Sequence, residues 1–378
     1  MHLIASNFFG GPEKQIVEHL LRLNRNNFRS IIASFIENDT KNELLEKAQQ
    51  YGLLAIPIFM SSAIDFRAQK RLIRLLKKKE IDLLCTHGYK SSIMGWLAGR
   101  ICNIPVLAFS RGFTSENFKV SFYEWLERRA LNLVSDIVAV SEGQRKKLET
   151  NGIKNKNIWV VHNSVSTDSI NRNDEHLDIS VRKRFNIPLK AKIIVSAGRL
   201  SPEKGHKFLI SAIKDLNLEN DFARFLFCGD GVCKEDLKKQ ALEEGVDNSC
   251  IFPGFRKDLN DIFRVMDLFV LPSLTEGLPN VLLEAFSYAK PVVTTAVGGI
   301  PELVSNRQNG ILVPPNRPDL LAHAIHECLS NIEFSKSLGI NGYNRVKTKF
   351  TFDAQTIKLE FIYYSVLKKY HYDTNING

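Results

Sequence analysis

The sequence predicts an α/β protein built from two doubly wound domains that face each other across a cleft. Short apolar runs of strand length alternate along the chain with segments of helical periodicity, and this alternation is typical of parallel sheets. A chain of 378 residues is too long for one ordinary core, and its 44% hydrophobic content is that of a globular protein. Ligands of such sheets bind outside the carboxyl ends of the strands, so we expect the functional residues there.

Thirteen apolar runs are predicted as strands. They lie at 1–5, 30–35, 53–58, 81–86, 105–109, 136–140, 157–161, 192–197, 223–228, 249–252, 267–271, 291–294 and 310–313. The predicted helices between them include 12–25, 41–51, 65–79, 91–102, 204–216, 233–244, 257–264, 280–289, 299–306 and 317–330. Apolar residues at near-helical spacing after Phe350 predict one more helix, followed by a polar tail.

The domain boundary is predicted in the stretch from Asn163 to Ser180. This stretch is rich in Asn, Asp and Ser and has little apolar periodicity. We therefore predict a first domain at 1–163 and a second at 164–349. A C-terminal helix and tail at 350–378 are expected to pack back toward the first domain.

Almost all the excess positive charge lies in the first half. Residues 1–163 hold 24 Lys and Arg against 15 Asp and Glu, within a net charge of +10 for the whole chain. Such a field favours anionic partners, namely phospholipid, phosphorylated substrates or nucleic acid. A solvated basic surface without a partner is the alternative.

One predicted helix, at 65–79, concentrates this charge. Its apolar residues form one stripe, and seven Lys or Arg cover much of the rest. A basic amphipathic helix is typical of an element at an anionic membrane surface, although a core helix with a solvated basic face has the same pattern. We do not expect nucleic-acid binding, because no recognition motif or aromatic platform accompanies the charge.

Cysteine usage and hydropathy indicate a cytoplasmic protein with peripheral membrane contact. None of the six cysteines belongs to a C-x-x-C pair or a zinc-site spacing, which fits a reducing compartment. No apolar run approaches the roughly 18 residues that span a bilayer, and the N-terminus has no signal-peptide pattern. We expect the protein at the inner face of the cytoplasmic membrane, with no bound metal and no cofactor.

A basic loop follows the strand predicted to end at Ala197. It contains Arg199 and Lys204, at the carboxyl end of that strand. A guanidinium binds phosphate through a two-pronged fork and an ammonium adds a compact charge, so together they can neutralise a diphosphate leaving group. Taken alone, an arginine and a lysine on a loop are more often ordinary surface charge.

A second motif follows the buried run at 267–271. It reads Leu274-Thr-Glu-Gly-Leu-Pro-Asn-Val-Leu-Leu-Glu284, with two glutamates eight positions apart. Pro279 and Asn280 resemble a helix start, whose backbone N–H groups can hold phosphate oxygens. Glu284 lies a turn into that helix, where it can accept hydrogen bonds from ribose hydroxyls or be a surface charge.

In this combination the sequence resembles glycosyltransferase family 4, the retaining enzymes of the GT-B fold with two Rossmann-like domains. The motifs that carry the resemblance have the family's order and spacing over nearly the whole chain. They are Gly10-Gly-Pro-Glu-Lys14, Val140-Ser141, His162-Asn163, Gly198-Arg-Leu-Ser-Pro-Glu-Lys-Gly205, Gly229-Asp-Gly231, Phe252-Pro-Gly-Phe-Arg256, Glu276-x7-Glu284, Val297-Gly-Gly-Ile-Pro-Glu302 and Asn309-Gly-Ile-Leu-Val313.

The resemblance implies a role for each motif. Arg199 and Lys204 would bind the donor diphosphate, Glu276 would lie by the donor sugar, and Glu284 would hold the ribose. The loop at 254–256 would lie near the nucleobase. The backbone of the glycine pair would approach the donor phosphates across the cleft, although the dipeptide alone also fits an ordinary turn. The donor site so implied comprises Gly10, Gly11, Arg199, Lys204, Gly254, Phe255, Arg256, Glu276, Gly277, Leu278, Pro279, Asn280 and Glu284.

One position departs from the family pattern. Many members carry a His after the strand that here reads Pro105-Val-Leu-Ala-Phe-Ser110, but this chain has Arg111. Arginine stays protonated and cannot be a general base, yet it can contact a sugar hydroxyl or an acceptor phosphate. His87 matches a separate family position, where it is either catalytic or structural. The predicted catalytic residues are Glu276, Arg199, Lys204, His87 and Arg111.

The predicted function is sugar transfer from a UDP- or GDP-type nucleotide-sugar, with the anomeric configuration retained and no metal. The expected acceptor is a lipid-linked saccharide in surface polysaccharide, lipopolysaccharide or glycolipid synthesis. In the family's usual picture the leaving phosphate itself takes the acceptor proton. Two alternatives stay open: a nucleotide-sugar epimerase of the same fold, and a catalytically silent sugar-binding subunit.

Overall fold

The computed structural model describes residues 1–37, 40–61, 65–112, 125–126, 128–153, 157–167, 175–216 and 222–376, without the side chains of 371–376. The chain divides into two compact units. Unit 1 is Met1–Asn163 with Phe352–Gly378, and unit 2 is Ser164–Thr351. Part of the predicted boundary stretch, 168–174, and the last two residues of the predicted tail lie outside the described residues.

Unit 1 contains a seven-stranded parallel sheet. Its strands are β1 (His2–Ile4), β2 (Ile31–Glu37), β3 (Leu54–Met60), β4 (Leu84–His87), β5 (Val106–Ser110), β6 (Asp136–Ala139) and β7 (Ile158–Val160). The strand order is β3-β2-β1-β4-β5-β6-β7. The order reverses beside β1, so a crevice opens at the carboxyl ends of β1 and β4, where doubly wound sheets bind ligands.

Unit 2 contains a six-stranded parallel sheet. Its strands are β8 (Lys192–Ala197), β9 (Ala223–Cys228), β10 (Cys250–Gly254), β11 (Leu268–Leu271), β12 (Val292–Thr295) and β13 (Ile311–Val313). The strand order is β10-β9-β8-β11-β12-β13. The order reverses beside β8, which places the switch point of this sheet between β8 and β11.

The described helices connect these strands. They are α1 (Gly11–Arg22), α2 (Glu43–Gln50), α3 (Phe66–Lys78), α4 (Tyr89–Cys102), α5 (Glu142–Thr150), α6 (Glu175–Arg184), α7 (His206–Leu216), α8 (Lys234–Glu243), α9 (Leu259–Val265), α10 (Asn280–Ser287), α11 (Ile300–Leu303), α12 (Pro318–Ser330), α13 (Ile332–Lys349) and α14 (Phe352–Ile376). Among these helices, none is long and apolar enough to cross a membrane.

Both faces of the unit 1 sheet are covered by apolar helix faces. Ile16 and Leu20 of α1 and Ile362 of α14 pack in one buried layer, and Leu72 and Leu76 of α3 pack in the other. Fully burying such a side chain stabilises the fold by about 1.5–3 kcal/mol. The C-terminal helix therefore contributes to the core of unit 1.

The predicted fold class is confirmed, and each predicted strand is present within a few residues of its expected bounds. Three helices differ from the prediction. Helix α6 begins inside the predicted boundary stretch, α13 was not predicted, and α14 continues to Ile376, through residues from His371 onward that were expected to form a polar tail. Gly339 and Gly342 weaken the helical signal of α13, yet packing requires them. A Cβ on Gly339 would lie 2.1 Å from the Ala289 carbonyl oxygen, and one on Gly342 would lie 2.2 Å from the Phe286 ring.

Candidate active site

The predicted site residues fall into two groups, one in each unit, and each group lies at the carboxyl edge of its sheet. In unit 2, two residues 72 positions apart meet at the switch point. Lys204, from the loop after β8, donates from Nζ to Glu276 Oε1 at 2.6 Å. Glu276 lies in the loop after β11, and its side chain is 8% exposed. The Ser273 hydroxyl donates to the same oxygen at 2.7 Å.

Glycines allow these loops to approach so closely. Residues 202–204 form one 3₁₀ turn that ends at Gly205, whose φ is 65°. A Cβ there would lie 2.2 Å from the Pro272 carbonyl oxygen, in the loop after β11. Gly298, after β12, has a φ of 55°, and its Cβ would lie 1.8 Å from the Glu276 carbonyl oxygen. Only glycine fits these contacts, so the three loops form one tightly packed edge.

Arg199 is anchored at the same edge by a buried carboxylate. Glu203 is 7% exposed and accepts a hydrogen bond from the Ser201 hydroxyl at 2.6 Å. The Arg199 Nη2 atom lies 3.5 Å from the same carboxylate oxygen, while the arginine side chain is 59% exposed. The structure thus places a second cation at the surface of the edge that holds Lys204.

A buried histidine adjoins these cations. His206, the first residue of α7, is 2% exposed, and neither ring nitrogen has a hydrogen-bond partner among the described residues. Burial, assisted by the charge of Lys204, lowers the pKa of His206 to about 3. The ring is therefore neutral and does not add positive charge to the site.

Residues 277–284 lead into α10. The Gly277 carbonyl accepts a hydrogen bond from the Gly299 N–H at 2.9 Å. Leu278 and Pro279 are buried, and α10 begins at Asn280. The helix start directs backbone N–H groups toward the edge, where they can hold an anion. Glu284 lies in the second turn of α10 and is partly buried.

The predicted nucleobase loop divides into an exposed ring and a paired cation. Gly254 has a φ of 74°, and Phe255 is 52% exposed. Arg256 forms a two-pronged pair with Asp258, with Nε–Oδ1 and Nη2–Oδ2 distances of 2.8 and 2.7 Å. That pairing raises the pKa of Arg256. The Arg256 guanidinium also lies 5.3 Å from the Phe185 ring centroid. Within this loop, the exposed Phe255 ring is therefore available to contact a ligand, whereas Arg256 is held by Asp258.

In unit 1, a cavity of about 300 Å³ lies at the switch point between β1 and β4. Its lining includes the chain after β1, the end of β2 and the start of α4. Lys90 on α4 forms an ion pair with Glu37 at the end of β2. Tyr89 is 40% exposed beside them. A cavity of this size with a few polar groups suits a small polar ligand such as a sugar.

The glycine pair lies at the start of α1. The Gly10 N–H donates to the Glu13 carboxylate at 3.0 Å, and Gly11 is the first helical residue. A Cβ on Gly10 would lie 2.5 Å from the Phe8 ring. The loop is therefore held by a buried glutamate, and its backbone N–H groups lie at a helix N-terminus.

His87 and Arg111 are brought together at the ends of β4 and β5. The Arg111 Nη2 atom lies 3.2 Å from His87 Nδ1. Burial, and secondarily the Arg111 charge, lowers the pKa of His87 well below its ordinary value. Burial also lowers the pKa of Arg111 to about 10, against the opposite effect of the Glu13 charge. The histidine is neutral and the arginine charged at neutral pH.

Several site residues were missed by the sequence reasoning. Ser273 and Glu203 hold predicted residues in place, and Glu13 holds Gly10. Glu203 and Glu13 lie inside two of the quoted motifs, and Ser273 lies three residues before Glu276, so their position in or beside a motif was the available signal. Within the described part of the chain, no group of three or more His, Cys, Asp or Glu has the arrangement of a metal site.

Two family models together match most of the chain. The Glycosyltransferase Family 4 model matches residues 9–169, and the Glycosyl transferases group 1 model matches residues 179–345. The chain belongs to the family 4 glycosyltransferases. The predicted membership is confirmed, and the enzyme class is glycosyltransferase.

Similar curated proteins include bacterial glycosyltransferases. The UDP-Gal:alpha-D-GlcNAc-diphosphoundecaprenol alpha-1,3-galactosyltransferase of Escherichia coli is 29% identical over 75% of this chain and 77% of that protein. The capsular polysaccharide biosynthesis glycosyltransferase CapM of Staphylococcus aureus is 24% identical over 79% of this chain and 80% of that protein.

Solved structures share the fold along nearly the whole chain. The Anabaena protein HepE, crystallised with UDP and glucose, has a TM-score of 0.84 at 19% identity and covers 97% of this chain and 100% of that one. Sucrose-phosphate synthase of Thermosynechococcus elongatus has a TM-score of 0.79 at 18% identity, with 97% and 99% covered. The chain therefore has the GT-B fold with two Rossmann-like domains.

Proposed function

We propose that this glycosyltransferase moves a sugar from a UDP-type nucleotide-sugar to a lipid-linked saccharide in surface polysaccharide synthesis, with retention and without a metal. The observation that carries the proposal is the Lys204–Glu276 ion pair at the switch point of unit 2. This pair lies where doubly wound sheets bind nucleotides, and a lysine there can take up a developing diphosphate charge.

In the proposed reaction the acceptor hydroxyl attacks the anomeric carbon while the bond from that carbon to the diphosphate oxygen breaks. The leaving phosphate takes the acceptor proton on the same face, so no protein base or nucleophile is needed. Lys204 and Arg199 neutralise the departing diphosphate, the N–H groups at the start of α10 add to this, and Glu284 accepts from the ribose. Glu276, held by Lys204 and Ser273, contacts the donor sugar.

The choice of UDP and of a lipid-linked acceptor draws on the relatives. The Escherichia coli relative is named for UDP-Gal and for a GlcNAc-diphosphoundecaprenol acceptor. We assign the acceptor saccharide to the unit 1 cavity, where the Lys90–Glu37 pair and Tyr89 supply polar and aromatic contacts. A diphosphate-linked acceptor is also consistent with the basic charge of residues 1–163.

We further propose that α3 binds the anionic membrane surface at which such an acceptor resides. Its exposed face carries Arg67, Lys70, Arg74, Lys77 and Lys78, and no acidic residue interrupts the helix. At its start, the aromatic side chain of Phe66 is 78% exposed. Like charges four residues apart destabilise an isolated helix, so this face has a physical reason to bind an anionic partner.

The proposal is tested by transfer with the purified chain. UDP-galactose and UDP-glucose are offered with a polyprenyl-diphosphate GlcNAc acceptor, with and without excess EDTA. We expect acceptor-dependent release of UDP, an α-linked product by NMR, and the same rate in EDTA. Nucleotide release or epimerised donor without acceptor would favour the epimerase alternative. A β-linked product or loss of activity in EDTA would contradict the proposed mechanism.

A further inference from the structure

A buried line of polar side chains joins Arg111 to the C-terminal helix. Consecutive members contact each other inside unit 1, and each member after the arginine is at most 5% exposed. In order, the line consists of Arg111, His87, His2, Tyr363, His19 and Thr356. Polar groups buried to this degree must satisfy one another, which makes their hydrogen-bond directions interdependent.

Arg111 sets the direction of the line. Its guanidinium has donors and no acceptor, so His87 Nδ1, 3.2 Å from Nη2, must be an acceptor. A neutral imidazole then carries its proton on Nε2, which donates to His2 Nδ1 at 2.9 Å. By the same rule, His2 Nε2 carries the next proton and donates to the Tyr363 hydroxyl at 3.2 Å.

The second half of the line continues without conflict. The Tyr363 hydroxyl, having accepted from His2, can donate to His19 Nε2 at 2.9 Å, while Cys85 is a second side-chain partner of this hydroxyl. With the donation to His19, that ring carries its proton on Nδ1 and donates to the Thr356 hydroxyl at 3.1 Å. This arrangement satisfies every contact, with His2 and His87 in one tautomer and His19 in the other. Burial lowers the pKa of each ring, which keeps all three neutral.

The line leaves part of Arg111 uncommitted. Its Nε and Nη1 atoms are buried and have no hydrogen-bond partner among the described residues. The arginine follows β5 directly, at the carboxyl edge of the unit 1 sheet, where ligands bind. Because Nη2 is already bound to His87, the orientation of the guanidinium decides where its Nε and Nη1 donors point.

We propose that Tyr363 is a positioning residue for Arg111, acting through His2 and His87, so that the C-terminal helix fixes the guanidinium at the substrate edge of unit 1. The effect on catalysis rests on the proposed function, in which Arg111 contacts the acceptor or donor. Without the Tyr363 hydroxyl, the Nε2–H of His2 has no hydrogen-bond acceptor among the residues that the structure describes. The rings can relieve this only by reversing their tautomers, which places an N–H of His87 against Arg111.

The proton arrangement is tested without any substrate. In protein labelled with ¹⁵N-histidine, we expect neutral Nε2–H rings for His2 and His87 and a neutral Nδ1–H ring for His19, assigned by single His→Gln variants. Arg111→Met removes the obligate donor, so His87 should populate both tautomers. Arg100→Met, an exposed change on α4 in the same unit, is the control and should change nothing. A protonated or Nδ1–H His87 in the wild-type protein would overturn the proposal.

The positioning role is tested by a double-mutant cycle on transfer activity. Tyr363→Phe should lower kcat/KM about 10-fold, since orphaning a buried N–H has a cost of that order. Tyr364→Phe, the exposed neighbour on the same helix, should be silent. In an Arg111→Met background, Tyr363→Phe should have no further effect. If the two losses simply multiply, Tyr363 acts on stability and the proposal fails. Histidine tautomers as expected, with no activity in the wild-type chain, would instead point to failure of the proposed function.

Discussion

At the scale of single residues, the unit 2 site depends on the ion pair between Lys204 and Glu276. Lys204 and Glu276 share one short contact, and both side chains are largely buried, at 18% and 8% exposed. A buried carboxylate without its cation is strongly unfavourable, so the pair also fixes the loop after β11. Under the proposed function, the bound diphosphate of the donor would compete with Glu276 for Lys204.

Lys204→Ala should therefore lower kcat/KM about 100-fold or more, equivalent to roughly 2.7 kcal/mol of transition-state stabilisation. Lys207→Ala is a matched control, because that lysine is exposed and lies over the Phe208 ring. Steady-state kinetics with varied donor would measure both. Equal kinetics for the two variants would remove Lys204 from the site. Thermal unfolding of each variant separates loss of the fold from loss of function.

At the scale of elements, packing explains only the inner face of α3. Asp65 caps its N-terminus by accepting from the Arg67 and Ala68 N–H groups at 2.7 and 3.2 Å. Its inner face is buried by Leu72 and Leu76. These features account for the helix and its attachment, but they do not require an outer face made almost wholly of Lys and Arg.

Replacing Lys70, Lys77 and Lys78 by Gln should weaken binding to anionic vesicles about 100-fold at low salt, because each lysine near such a surface contributes about 1 kcal/mol. Removing three positive charges from unit 2, by replacing Lys214, Lys238 and Lys239 with Gln, should change vesicle binding little. Co-sedimentation with phosphatidylglycerol vesicles measures both. Binding that is equal for the two triple variants would make α3 an ordinary solvated face. High salt should abolish the difference.

At the scale of the whole molecule, buried neutral histidines are distributed unequally. Unit 1 contains His2, His19 and His87, whereas unit 2 contains His206, and burial lowers the pKa of all four. Below pH 6.5, the ordinary pKa of histidine, these rings bind protons in the unfolded chain but stay neutral in the folded protein. Their contribution to the free energy of unfolding is constant above that pH and falls as the pH is lowered. For His19 this fall continues until the pH reaches about 3, the pKa of the folded ring.

Unit 1 should therefore lose stability faster than unit 2 as the pH falls from about 6 to about 5, by about 4 kcal/mol per pH unit against about 1.4. The three tryptophans, Trp96, Trp125 and Trp159, all lie in unit 1, so their fluorescence reports that unit while circular dichroism reports both. Urea unfolding by the two probes should separate in acid. His19→Gln should reduce the unit 1 slope by about a third, whereas exposed His323→Gln should not. Coincident transitions at every pH would contradict this distribution.

The sequence by itself determined the fold class, the strands and the residue types of the site. Alternating apolar runs specify parallel α/β units because the pattern is local, and the motifs at 199–204 and 276–284 are contiguous. Helix α13 was not predicted because its glycines lower the helix propensity of the segment. Its stability comes from close packing against residues 286 and 289. No local pattern reports such packing.

Only the tertiary structure decided which loops meet. The 2.6 Å contact of Lys204 with Glu276 follows from β8 and β11 being neighbours across the switch point, a strand order that no window of sequence records. The line from Arg111 to Thr356 joins residues at opposite ends of the chain, 337 positions apart for its last contact. His2 and His19 have the pattern of ordinary core residues in the sequence, and His87 was predicted as a site residue without any indication of its partners. The direction of each hydrogen bond depends on which groups are neighbours in space. Those neighbours are set by the tertiary fold and not by the spacing of residues along the sequence.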